Sequence, residues 1–88
     1  MSRESTITAF PPSAKAITPN DSTDLTDHNG QPVGMTVFCG TGGNIVVIPI
    51  GNANAVTFVV GDGAILPVEV KRVLSTGTTA TDLVGLFY

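Results

Sequence analysis

Nowhere does this chain run more than ten residues without a glycine or a proline, and that punctuation limits what it can fold into. The longest clear windows are residues 1–10 and 20–29. A glycine costs a helix interior roughly 1 kcal/mol and a proline roughly 3. The second window also opens with Asn20, Asp21, Ser22, Thr23 and Asp24, whose side chains compete for backbone hydrogen bonds and favour turns. Helix is nearly excluded. Threonine and valine dominate elsewhere, and both suit a pleated surface.

The segments between the breaks read as strands. Residues 1–12 are polar at the start and end in Pro11-Pro12, which predicts an extended arm. Residues 13–18 form a first short strand, and residues 19–32 a long polar loop of the kind that usually touches something or carries function. Residues 33–39 alternate, and Gly40-Thr41-Gly42-Gly43 then reads as a hairpin turn. Residues 44–50 are nearly all apolar, which predicts cover on both faces. After the turn Gly51-Asn52-Ala53-Asn54 comes a strand at 55–60, and after Gly61-Asp62-Gly63 a longer one at 64–74. In the latter, Leu66, Val68 and Val70 face one way and Glu69 and Lys71 the other. A Thr/Gly loop at 75–81 leads to a last strand at 82–88, apolar on both faces. Evenly spaced short strands predict an all-β fold: a small β-sandwich or barrel of about six short antiparallel strands. The expected division is an extended N-terminal arm at 1–12 and a single β-domain at 13–88. There is no 20–50-residue repeat.

A domain of 88 residues buries only about 60–65% of the surface its unfolded chain exposes, and small scaffolds usually need a staple. An internal disulfide is excluded, since Cys39 is the only cysteine. A closed zinc site would need about four N/S ligands, and the chain has one Cys and one His. Association is the staple left. Hydrophobic residues are 42% of the chain and charged residues 12%, about half the usual share of the latter. So little charge predicts surface that is covered by partners. The net charge is −3 with no basic run, so nucleic acid is not an expected partner. The polar opening has no apolar h-region, and no apolar stretch approaches the length of a membrane span. Synthesis in the cytoplasm, with no membrane partner, is the expectation.

Chemistry is sparsely represented. Gly40–Gly43 lacks the Lys-Ser/Thr and the helix of a phosphate loop. Cys39 and His28 have no third orienting group or oxyanion site beside them, and Cys39 reads as a small buried hydrophobe. Asp21, Asp24 and Asp27 are the only carboxylate cluster. A calcium ion is conceivable there, but the spacing is not that of an EF-hand, and a solvated loop with Asx-turns is the plainer reading. No catalytic, metal or cofactor site is expected. Phe38 and Phe58 read as core. Phe10, beside Pro11 and Pro12, reads as an anchor into a neighbour. Asp21 and Asp24 are candidates to pair with Lys71 or Arg72 on another strand or subunit. With the terminal Phe87 and Tyr88, these residues form the candidate interface.

Two segments resemble a known family. One is Ile17, Thr18, Pro19, Asn20, Asp21, Ser22, Thr23, Asp24 and Leu25. The other runs Ile65, Leu66, Pro67, Val68, Glu69, Val70, Lys71, Arg72, Val73 and on through Leu74, Ser75, Thr76, Gly77, Thr78, Thr79 and Ala80 to Thr81. Both are similar to the head spike base proteins of gene transfer agents and tailed phages, over roughly residues 13–88. Asp27, His28, Asn29, Gly30 and Gln31 have no counterpart in that pattern. The resemblance implies a structural virion protein, a spike-base or decoration component of the capsid surface. It also implies a ring of copies, fivefold at a vertex, with the major capsid protein or a spike fibre as partner. The arm and the loop at 19–32 would then be contacts to the capsid or to the next subunit. The alternatives are a tail or head–tail junction protein and, further off, a ligand-binding β-module. An enzyme is not expected.

Overall fold

A computed structural model describes residues 10–88. The first nine positions of the predicted arm lie outside the described residues. Phe10 is exposed, Pro11 half-buried and Pro12 exposed.

Seven strands follow in chain order: β1 (Ser13–Ala16), β2 (Thr36–Thr41), β3 (Gly43–Pro49), β4 (Val56–Val60), β5 (Ala64–Ile65), β6 (Val70–Val73) and β7 (Thr81–Phe87). They form two antiparallel sheets, one in the order β1-β7-β2-β5 and the other β4-β3-β6. The fold is all-β, as the glycine and proline spacing predicts.

The run predicted as one strand at 64–74 is broken. Pro67 lies in a bend, β5 pairs with β2, and β6 pairs with β3. The alternation nevertheless persists through the bend, with Leu66 and Val70 buried, Val68 half-buried and Glu69 exposed. The two sheets are also joined there. Met35 and Val70 exchange backbone hydrogen bonds of 3.0 and 2.8 Å, and the Leu66 N–H donates to the Val37 carbonyl at 2.9 Å. Taking β5 and β6 as one bent strand, the molecule is a rolled sheet in the order β1-β7-β2-β5/β6-β3-β4. Its two ends are β1 and β4.

The predicted hairpin at Gly40–Gly43 is a correction. β2 and β3 do not pair with each other; they belong to different sheets. The chain turns a corner at Gly42, and the reason is steric. A Cβ on Gly42 would lie 2.5 Å from the Val60 carbonyl oxygen and 2.8 Å from the Gly61 Cα, so only glycine lets the backbones cross this closely. The Gly42 N–H donates to the Asp62 carboxylate at 2.6 Å, tying this corner to the one between β4 and β5.

The core lies between the layers. Val37 and Cys39 of β2, Ile45 and Val47 of β3, Val70 and Val73 of β6, and Leu83 and Phe87 of β7 all point inward, with Met35 and Leu66 filling the joint. Gly85 faces inward as well, where a Cβ would collide with the Met35 Sδ. Strand parity corrects the reading of Phe38. Its neighbours Val37 and Cys39 are the buried pair, so Phe38 is half-buried on the outer face. Phe58 faces inward opposite Ile45 and packs against the core. The outer face of β3 is partly covered by the loop after β6, where Gly77 lies against Val46.

Candidate assembly surface

The carboxylates of the 19–32 segment are engaged within the chain. Asn20 begins an Asx-turn, its side-chain oxygen accepting from the Ser22 N–H at 2.9 Å. Asp21 Oδ1 accepts from the backbone N–H groups of Ser75 and Thr76 at 2.8 and 2.9 Å, and its Oδ2 accepts from the Thr76 hydroxyl at 2.5 Å. The Thr76 hydroxyl, followed by its backbone N–H, holds the Asp21 carboxyl below the ordinary carboxylate range. Asp24 forms an ion pair with Arg72 Nε at 2.8 Å, and Arg72 also donates to the Asp21 carbonyl at 3.2 Å. The Asn20 and Leu25 N–H groups donate to the carbonyls of Val73 and Lys71, both at 2.8 Å. Residues 20–25 are therefore a strap laced to β6 and the loop beyond it.

The remaining candidates sort in the same way. Asp27 Oδ1 accepts from the N–H groups of Gln31 and Asn29, which lowers its pKa, Gln31 having the larger effect. Lys15 Nζ donates to the carbonyls of Thr26 and Asp27 at 3.1 and 3.2 Å. Among the described residues, Asp21, Asp24 and Asp27 do not converge into a metal-holding group. Cys39 is wholly buried between Ala64 and Leu83, and burial raises its thiol pKa. His28 lies at the surface instead, its ring 5.4 Å from that of Phe87. Two shallow clefts of about 240 and 310 Å³ flank the strap and the start of β7.

The candidate interface residues separate by exposure. Phe10 is 90% exposed and Tyr88 65%. Phe87 is 4% exposed. It belongs to the chain's own core, because β7 is an interior strand between β1 and β2 and Phe87 is on its inner side. Pairing of Asp24 with Arg72 takes place within the chain, whereas Lys71 is half-buried on the same strand.

The sheet register shows which residues form the apolar outer faces, of which the sequence had marked only the last strand as apolar on both sides. Ala16, Val84, Phe38 and Ile65 lie in one row across the outer face of the four-stranded sheet, beside a second row of Ala14, Leu86 and Thr36. On the other sheet β4 exposes Val56 and Val59, the latter 83%. These residues look like core by composition. For β4 the signal available in the sequence was the uncharged run from Gly51 to Gly61, and for β7 it was the apolar character of both faces of 82–88.

Known proteins with this arrangement point to a particle. A chain in a solved structure described as the capsid of a native GTA (gene transfer agent) particle, computed with C5 symmetry, superposes with a TM-score of 0.69. It is 40% identical in sequence, over 86% of this chain and 82% of that one. The chain belongs to the capsid-related proteins of gene transfer agents and phages. No family model matches it, and no curated protein does. For a capsid-related structural protein, a surface with such apolar rows is suited to packing against other particle components.

Proposed function

We propose that this protein is a spike-base component of a phage-like particle, forming a homo-oligomeric ring at a capsid vertex and anchoring a fibre. The observation that carries the reading is the 40% identity, over most of both chains, to a chain of a capsid solved with fivefold symmetry. The physical case agrees with it. A ring needs two different faces on each subunit, joined by one interface repeated through rotation. This chain has two different apolar candidates, the outer rows of one sheet and the β4 edge of the other. The exposed Phe10 and the stretch before it are the proposed contact to the capsid or to the next subunit, ahead of a β-domain running from about residue 13. The fibre, the major capsid protein and further copies of the chain are the proposed partners, and the capsid surface the proposed location.

Two measurements test the reading. Native mass spectrometry of the purified chain is expected to show a closed oligomer, a pentamer on the vertex reading. Electron microscopy of whole particles carrying a label on this chain is expected to mark vertices. A monomer at micromolar concentration would remove the ring, and label on the tail would move the protein to the junction.

A further inference from the structure

An uncovered sheet edge normally carries some protection, such as a charge, a proline, a bulge or a covering loop. The edges of this molecule are treated unequally. The far side of β6 is sealed by the Met35 bridge and by the strap at 20–25. β5 is two residues long, and β1 is four residues with Lys15 in the middle, directly after Pro11-Pro12. Among the described residues, β4 has none of these devices. Residues 51–61 carry neither charge nor proline, and the five-residue register of β4 on β3 has no bulge.

The hydrogen-bonding capacity of that edge follows from β3. The N–H groups of Asn44 and Val46 donate to the Thr79 and Thr78 hydroxyls at 2.9 and 3.0 Å. The Asn44 carbonyl accepts from Thr79 and Ala80, and the Val46 carbonyl from Leu74. Asn44 and Val46 thus turn their backbone groups away from β4. Val59 and Thr57, opposite them, are the non-hydrogen-bonded pairs of the antiparallel ladder. Their own N–H and C=O groups point out from the free edge, without a partner among the described residues. The inward side chains of β4 are open along this flank too, with Val56 38% exposed and Phe58 and Val60 only half-buried.

We propose that the β4 edge is completed by the N-terminal segment of a neighbouring copy, residues 5–9, added as one more strand. Nine residues lie ahead of Phe10. Extended, the five residues next to Phe10 would span about 17 Å, the length of the five-residue β4. These five, Ser5, Thr6, Ile7, Thr8 and Ala9, are uncharged and centred on three β-branched residues, the composition of a strand. Phe10 stands 90% exposed where the chain leaves the body, and Pro11-Pro12 keep that departure extended. Strand addition supplies affinity through main-chain bonds to Thr57 and Val59 and specificity through alternate side chains. The inference rests on the ring reading and names its joint.

The test uses the full chain. Val59→Pro removes an outward N–H without touching a bond to β3, and a chain starting at Phe10 removes the added strand. Both are expected to weaken assembly about tenfold or more while keeping wild-type far-UV circular dichroism. Thr8→Cys chains mixed with Val59→Cys chains are expected to give covalent dimers of unlike chains with a short bis-maleimide, since native Cys39 is buried. Assembly that matches the wild type in both variants overturns the inference and leaves the ring intact. So does cross-linking confined to a single chain carrying both substitutions. A wild-type protein that is monomeric throughout sinks the ring reading itself.

Discussion

Asp21 shows how much one side chain organises here. It accepts three hydrogen bonds from Ser75 and Thr76, and its backbone carbonyl accepts a fourth from Arg72. Because those donors favour the carboxylate, its pKa in the folded chain lies below the ordinary 3.8. The unfolded chain then binds protons more readily, so the stabilisation is fully present above that ordinary value. It is lost as pH falls through it towards the folded one. Asp27 acts in the same direction. Thermal unfolding followed from pH 7 to pH 3 is expected to show a falling midpoint. Asp21→Asn is expected to start lower at pH 7 and to fall less steeply. An unchanged acid limb in that variant would show that the strap takes no part in it. The sequence marked Asp21 as a turn residue or pairing partner, but its donors lie more than fifty positions away, and no local rule reaches that far.

At the scale of elements, the strand pattern was legible and the pairing was not. Residues 44–50 and 55–60 alternate with turn-formers, and they do form the β3–β4 hairpin. Gly40–Gly43 carries the same local signal and makes a corner between sheets instead. The difference lies in what crosses it, the Val60–Gly61 backbone, and this is fixed only after folding. Gly42→Ala would press a methyl group into that backbone and is expected to cost about 1–3 kcal/mol. Urea unfolding checks this as a lower midpoint at unchanged slope. Gly51→Ala is the control, since a Cβ there meets nothing within 4 Å, and its midpoint is expected to stay near the wild type. The same contrast explains Phe38. Its strand was evident, but the register that turns it outward depends on β7 and β5.

For the whole molecule, the low charge has a consequence for assembly. Association through apolar rows and a backbone edge depends little on screened charge pairs and is strengthened by salts excluded from protein surface. On the ring reading, oligomer populations measured by light scattering are expected to change little between 0.1 and about 1 M sodium chloride and to rise with sulfate. Dissociation at high sodium chloride would mean that ion pairs hold the subunits. Lys71 would then become the first side chain to substitute, since Arg72 is paired within its own chain.

By itself the sequence determined the class of fold, the spacing of the strands and the shortage of charge. These are properties of composition and of nearest neighbours, set by backbone sterics and the period of two. Tertiary structure alone decided which strands share a sheet, which valines and phenylalanines face water, and which carboxylates are already engaged. A strand with apolar residues on both faces contains no information about which face is inside. That choice is made by hydrogen-bond register with strands distant in sequence, and among the described residues it leaves β4 as the unprotected edge.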